Sequence, residues 1–176
     1  MAAVVGIMGV KGSGKDTLAL ELKAKFESEG KTVDIICFSD SVREMTYKEL
    51  KVYPKTPEAY DKFKVKTHKR GTTIMTGRQW LEYFAEGERT NNPIKWSNLW
   101  FNKAKESKAD IVIASDVRFA SEIQAIACLP ESTVSFYFCD YKSGRYDKSR
   151  TESNTLAIEL ISQGVPDRTD ITSKFI

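Results

Sequence analysis

The stretch Gly9-Val10-Lys11-Gly12-Ser13-Gly14-Lys15-Asp16-Thr17 has the residue types and spacing to do chemistry on an anion. Gly9, Gly12 and Gly14 allow backbone turns that a Cβ would block, so successive N–H groups can converge on one oxyanion. The apolar run Val4-Val5-Gly6-Ile7-Met8 precedes the stretch, and Leu18-Ala19-Leu20-Glu21-Leu22 follows it at helical spacing. Strand, glycine-rich turn and helix are the surroundings a phosphate-binding loop requires. A helix starting near Lys15 adds the positive end of its dipole. Gly12, Ser13, Gly14, Lys15, Asp16 and Thr17 are therefore the expected ligands of a nucleoside triphosphate, with Lys15 as a mobile charge for its β and γ phosphates. One position departs from the commoner pattern. Asp16 stands where a Ser or Thr would hold magnesium, and Thr17 comes next.

The elements that must position this loop are legible as alternating apolar runs and helical repeats. Residues 32–38, Thr-Val-Asp-Ile-Ile-Cys-Phe, predict a second strand; Ser39-Asp40-Ser41 predicts its end and the cap of a helix from about Val42. The polar, lysine-dense stretch from Tyr47 to about Thr76 carries Pro54 and Pro57, and reads as an insertion of short helices or loops. Thr76-Gly77-Arg78-Gln79 opens a helix with Trp80, Leu81 and Phe84 on one side, and another starts after Pro93 with Trp96, Leu99 and Trp100. That spacing is the spacing of a core face. Ile111-Val112-Ile113-Ala114 predicts a short buried strand, then come a helix over about 120–129 and a strand over 133–139. Residues 140–150 read as a charged loop, 156–163 predict a helix, and Ile171 is the expected place of a last edge strand. Strands alternating with helices predict a doubly wound α/β fold, a parallel sheet covered on both faces with ligands at the carboxyl ends of its strands.

Two further groups follow strands and so belong at that edge: Asp40 to Arg43, and Asp116 to Arg118. An apolar strand ending in Asp116 has the form of a Walker B element, whose carboxylate holds magnesium or its waters beside the phosphates. Arg118 offers a planar five-donor fork suited to a phosphoryl group. Glu122, four residues on, either orients that arginine or makes a surface i,i+4 pair.

A chain of 176 residues, 41% hydrophobic and 29% charged, is long enough for one domain with a full core. A net charge of +3 does not point to nucleic-acid binding, and no apolar run is long enough to span a membrane. Met1-Ala2-Ala3 leads straight into the first strand without a signal peptide, and Cys37, Cys128 and Cys139 lack metal spacing. They read as buried free thiols of a cytoplasmic protein. The single histidine, His68, lies in the polar run Lys66-Thr67-His68-Lys69-Arg70, which argues against a zinc site or a Ser-His-Asp triad.

The glycine-rich stretch, Phe38-Ser39-Asp40-Ser41-Val42-Arg43-Glu44 and Asp116-Val117-Arg118-Phe119-Ala120-Ser121-Glu122 together resemble the deoxynucleoside monophosphate kinases of bacteriophages. Arg78-Gln79-Trp80-Leu81-Glu82-Tyr83-Phe84, Gly87-Glu88-Arg89 and Trp96-Ser97-Asn98 add to the resemblance, which covers most of residues 4–125. The lysine–any–threonine ending of the loop is also the form seen in nucleoside monophosphate kinases. The resemblance implies ATP and Mg2+ as cofactors and transfer of the γ phosphate to a deoxynucleoside 5′-monophosphate. It implies a single domain with an acceptor-binding insertion over about 41–95 and a lid over about 140–150, carrying Lys142, Arg145, Lys148 and Arg150. Lys15, Asp116 and Arg118 would be catalytic. Arg145 would join the loop residues in binding ATP, and Asp40, Arg43, Arg78, Arg118 and Glu122 would bind the acceptor. Thr17 and Asp116 would hold magnesium through water. The protein would act in the cytoplasm, that of the host if it is viral, with a homodimer left open. Kinases for other small acceptors, of dephospho-coenzyme A or phosphomevalonate type, and an inactive nucleotide-binding regulator are the competing readings.

Overall fold

The computed structural model describes residues 3–9, 12–51, 56, 59, 62, 64–67, 73–130, 132–139 and 169–170. The chain divides into two compact units, one formed by Met1–Phe38 with Ser97–Ile176 and the other by Ser39–Trp96.

The first unit is built on β1 (Ala3–Gly9), α1 (Lys15–Ser28), β2 (Val33–Ile35) and the start of α2 (Phe38–Leu50). After the second unit the chain returns through α4 (Lys95–Glu106), β5 (Ile111–Val117), α5 (Ala120–Ala127), β6 (Thr133–Cys139) and β7 (Thr169–Asp170). Strand order is β2-β5-β1-β6-β7. The first four strands are parallel, and β7 closes the far edge antiparallel to β6. This is the doubly wound α/β fold that the alternation of strands and helices predicts.

Both faces of the sheet are buried, which explains why its central strands read as near-continuous apolar runs rather than alternating ones. Along β1, Val4 and Met8 enter one core with Val112, Ala114, Trp100, Ala104, Ile126 and Phe136. Val5 and Ile7 enter the other, with Leu18, Ala19, Val33, Ile111 and Ile113. Helix α1 covers the second face, whereas α4 and α5 contribute to the first. The Trp100 indole N–H donates to the Ile36 carbonyl at 2.7 Å, and its ring stacks on Phe38 with centroids 4.6 Å apart. The aromatic spacing of α4 is thus packing.

Strand β2 is shorter than its apolar run and stops at Ile35, and α2 begins at Phe38 instead of near Val42. The expected local cap by Ser39-Asp40-Ser41 is replaced by a distant one. The Phe38 N–H donates to Asp116 Oδ1 at 2.8 Å, so the helix can start as soon as the chain leaves the sheet. This places Asp40 inside the first turn of α2.

The second unit contains the antiparallel pair β3 (Lys64–Thr67) and β4 (Thr73–Thr76), then α3 (Gly77–Asn91). The hairpin corrects the expectation of only loops and short helices there; Lys64-Val65-Lys66-Thr67 and Thr73-Ile74-Met75-Thr76 carry β-branched residues but no strict polar–apolar alternation, so periodicity did not mark them as strands. Helix α3 starts with a capping box: Gln79 N–H donates to Thr76 Oγ1 and Thr76 N–H to Gln79 Oε1. The Trp96 indole N–H donates to the Ala85 carbonyl at 3.1 Å. No helix among the described residues is long and apolar enough to cross a membrane. Cys37 is half-buried and Cys139 buried, but Cys128, the C-cap of α5, is exposed, which corrects the expectation of three buried thiols.

The core leaves no room beside Gly6. A Cβ there would lie 2.6 Å from the ring of Phe136, itself 1% exposed. Gly6→Ala is expected to lower stability by about 1–3 kcal/mol, the usual cost of overpacking. The shift of the urea midpoint measures it; an unchanged midpoint would show that the ring can move.

Candidate functional site

The glycine-rich loop leaves β1 in the middle of the sheet. Gly9, at φ 142°, is required by a close approach: a Cβ there would lie 2.0 Å from the Cys139 carbonyl oxygen on β6. Gly14 sits at the start of α1 with φ 86° and ψ 21°, the left-handed conformation that glycine adopts without strain. No side chain caps this helix end, although its first intrahelical bond, Leu18 N–H to the Gly14 carbonyl, is made at 2.9 Å. Ser13 adds a second sign of a missing partner. Its hydroxyl is buried, with the residue 8% exposed, and has no hydrogen-bond partner. A buried hydroxyl in that state costs free energy unless a ligand completes it. A phosphate oxygen is an acceptor of the right kind.

The Lys15 ammonium is held where water is scarce. Burial and, after it, the Arg118 guanidinium together lower its pKa from 10.5 to about 8, against the opposing fields of Asp16, Cys139 and Asp116. Lys15, Asp16, Asp116 and Arg118 thus meet around the loop in the first unit. Arg118 opposes the Lys15 charge, and the two carboxylates favour it.

Strand β5 delivers its polar residues through an irregularity. Gly6 pairs with Ala114 but Met8 with Val117, so β5 has one more residue than β1 across this interval. Ala114 and Val117, three apart, both enter the same core, and Ser115 and Asp116 fill the bulge between them. Such bulges re-aim side chains at sheet ends. Ser115 Oγ donates to Asp16 Oδ1 at 2.9 Å, and Asp116 Oδ1 accepts the Phe38 N–H. Beyond the strand, Glu122, 3% exposed, accepts the backbone N–H groups of Arg118 and Phe119 at 2.6 and 3.1 Å. Its pairing with Arg118 is therefore to the main chain. Glu122 caps α5 and fixes the residue from which the guanidinium departs, in place of the exposed i,i+4 pair that the spacing allows.

Asp40, Arg43 and Arg78 belong to the second unit. Asp40 and Arg43 lie half-buried on α2, where the Arg43 carbonyl accepts from Thr46 Oγ1 at 2.9 Å. Arg78 Nε is paired with Glu82 one turn along α3. Arg145 lies outside the described residues, as do Lys142, Lys148, Arg150 and the rest of 140–150. Sequence reasoning missed Ser115, Cys139 and Cys37, whose Sγ is 3.3 Å from Ser115 Oγ. Only Ser115 left a signal, a hydroxyl at the end of an apolar strand.

Among the described residues no three His, Cys, Asp or Glu side chains form a metal cluster. The residues present nevertheless fit magnesium, which takes one or two carboxylates and completes its shell with water and phosphate oxygens. Asp16, Asp116 and Thr17 are the candidates, and the ion would neutralise charge on the transferred phosphate.

No protein-family model matches the chain, and no curated protein matches it. Solved structures do match. One is a cysteine-to-alanine mutant of the APS kinase CysC of Mycobacterium tuberculosis, 14% identical, with a TM-score of 0.44, covering 92% of this chain and 95% of that one. Similarity at that level carries nothing about substrate or mechanism.

The buried cation gives a stability test. Between about pH 8 and 10.5 the unfolded chain retains a proton on Lys15 that the folded chain has released, so stability rises with pH across that window. Below it, the folded state bears the full cost of the charge. Lys15→Met is expected to stabilise the ligand-free protein at pH 7 by on the order of 1–3 kcal/mol. The advantage should shrink towards pH 10.5, as followed by denaturant melts at both ends of the range.

Proposed function

We propose that this chain is a kinase that transfers the γ phosphate of ATP to a deoxynucleoside 5′-monophosphate, giving the diphosphate and ADP. The observation that carries the reading is the Lys15 ammonium, desolvated beside Arg118 and flanked by Asp16 and Asp116 at the mouth of the glycine-rich loop. An anion with several charges would relieve the repulsion of the two cations, and a metal-bound triphosphate would match the two carboxylates as well. The unpartnered Ser13 hydroxyl supports the same occupant.

In this reading the N–H groups of the loop and Ser13 hold the β and γ phosphates, with Gly12, Gly14 and Thr17 shaping and completing the cradle. Lys15 and Arg118 stabilise the charge that spreads over the equatorial oxygens as the γ phosphorus is transferred. A phosphate oxygen of the acceptor forms the new P–O bond in line with the bridging oxygen that leaves on ADP. The reaction needs positioning and neutralisation, and no covalent enzyme intermediate. Magnesium, held by Asp116 and Thr17 through water, would supply further neutralisation. Asp40, Arg43, Arg78 and Glu122 would serve the acceptor, and Arg145 the ATP side, the protein acting in the cytoplasm. The deoxynucleotide assignment rests on the resemblance of the Asp-Val-Arg and Arg-Gln stretches, and on the fitness of arginine forks for a monophosphate.

A coupled ADP-release assay over deoxynucleoside monophosphates, ribonucleoside monophosphates, dephospho-coenzyme A and phosphomevalonate tests the reading. Turnover should depend on a deoxynucleoside monophosphate; acceptor-independent behaviour would mean a regulator, and preference for another acceptor would move the chain to a different kinase class. Lys15→Ala should fold and lose turnover by about two to three orders of magnitude. Arg78→Lys should raise KM for the monophosphate about tenfold or more with ATP affinity nearly constant, as expected for loss of a charge-assisted pair. Weaker ATP binding with an unchanged monophosphate KM would show that the roles are reversed.

A further inference from the structure

Asp16 is the odd residue of the loop. It places a negative charge directly after the phosphate-binding lysine, where a hydroxyl would ordinarily stand. A bare triphosphate entering the loop would meet that charge as repulsion, and a cation between them would turn repulsion into attraction. The carboxylate is not left to find its own position. Ser115, 2% exposed, donates its hydroxyl proton to Asp16 Oδ1 at 2.9 Å. A serine hydroxyl has one proton and an ionised carboxylate only accepts, so the Cys37 thiol, 3.3 Å from Ser115 Oγ, must be the donor in that second contact. The chain Cys37–Ser115–Asp16 therefore has one direction and ends on the carboxylate. Asp16 itself remains exposed, anchored through one oxygen and accessible to solvent.

We propose that Ser115 is a positioning residue that fixes the Asp16 carboxylate beside the phosphate loop, and that Asp16 so held makes the site select a metal-bound nucleotide over a metal-free one. The inference rests on the nucleotide-binding reading of the loop and adds to it a specificity that resides in two side chains. The bulge in β5 is what makes it possible: Ser115 and Asp116 are both spared from core packing, one bonded to α1 and the other to the start of α2.

The test is calorimetric binding of a non-hydrolysable ATP analogue to the full chain, without acceptor, in excess Mg2+ and again in EDTA. The readout is the ratio of the two dissociation constants. Wild type should bind about tenfold or more tightly with the metal. Asp16→Asn should reduce that ratio mainly by improving metal-free binding, which loss of a merely structural contact would not do. Ser115→Ala should shift the ratio towards that of Asp16→Asn, while Ser115→Thr, which keeps the hydroxyl, should retain the wild-type value. A wild-type ratio in Ser115→Ala, or equal weakening with and without metal, overturns the positioning role. Asp16 is exposed, so Asp16→Asn should fold even if Ser115→Ala does not, and an unchanged ratio in it overturns the selectivity. Absence of binding to wild type in both conditions would instead remove the nucleotide reading, and this inference with it.

Discussion

Strand β1 is paired with β5 along one edge and β6 along the other, and its side chains are buried on both faces of the sheet. A strand so enclosed can meet a polar ligand only where the chain leaves the sheet, at its carboxyl end. That is where Gly9 passes the Cys139 carbonyl at a distance no Cβ tolerates, and where the left-handed Gly14 turns the chain into α1. The apolar burial and the polar site are consequences of one arrangement. About 25 cal/mol for each Å2 of apolar surface removed from water drives the strand inwards, and the loop emerges at its end.

Held at that place, Lys15 sits in an environment that disfavours its own charge. In the proposed function, the same desolvation would strengthen its interaction with an incoming anion, and the site would need little reorganisation as charge develops. Arg118 adds to the cost of the empty arrangement and to the attraction for a ligand. Asp16 and Asp116 keep the cluster near electrical balance. A partly desolvated lysine in such a mixture is a poor contributor to stability.

The bulge in β5 has a role beyond register. In a regular strand one of every two consecutive residues on a doubly covered sheet must be surrendered to each core. The extra residue frees Ser115 and Asp116 together: Ser115 restrains the first turn of α1, and Asp116 starts α2 through the Phe38 N–H. A single irregular step thus serves the starts of two helices.

The amino-acid sequence by itself determined much of this. The glycines and lysine of residues 9–15 need no tertiary context to be recognised, because their spacing is a local pattern, although the Cys139 carbonyl that requires Gly9 comes from β6. The apolar runs of β1, β5 and β6 likewise announce a sheet buried on both faces, and the capping box at Thr76 and Gln79 lies within four residues. The β3–β4 hairpin was not legible in the same way, because residues 64–67 and 73–76 lack a polar–apolar alternation and lie near prolines and lysines. What tertiary structure alone decided concerns pairs far apart in the chain. The start of α2 depends on Asp116, 78 residues away, so no local capping rule could place it. The partnership of Ser115 with Asp16 spans 99 residues and depends on a bulge that apolar patterning does not encode. The altered acidity of Lys15 has the same origin. Charge and solvation act through space, and the distances that set them exist only once the sheet has brought the ends of its strands together.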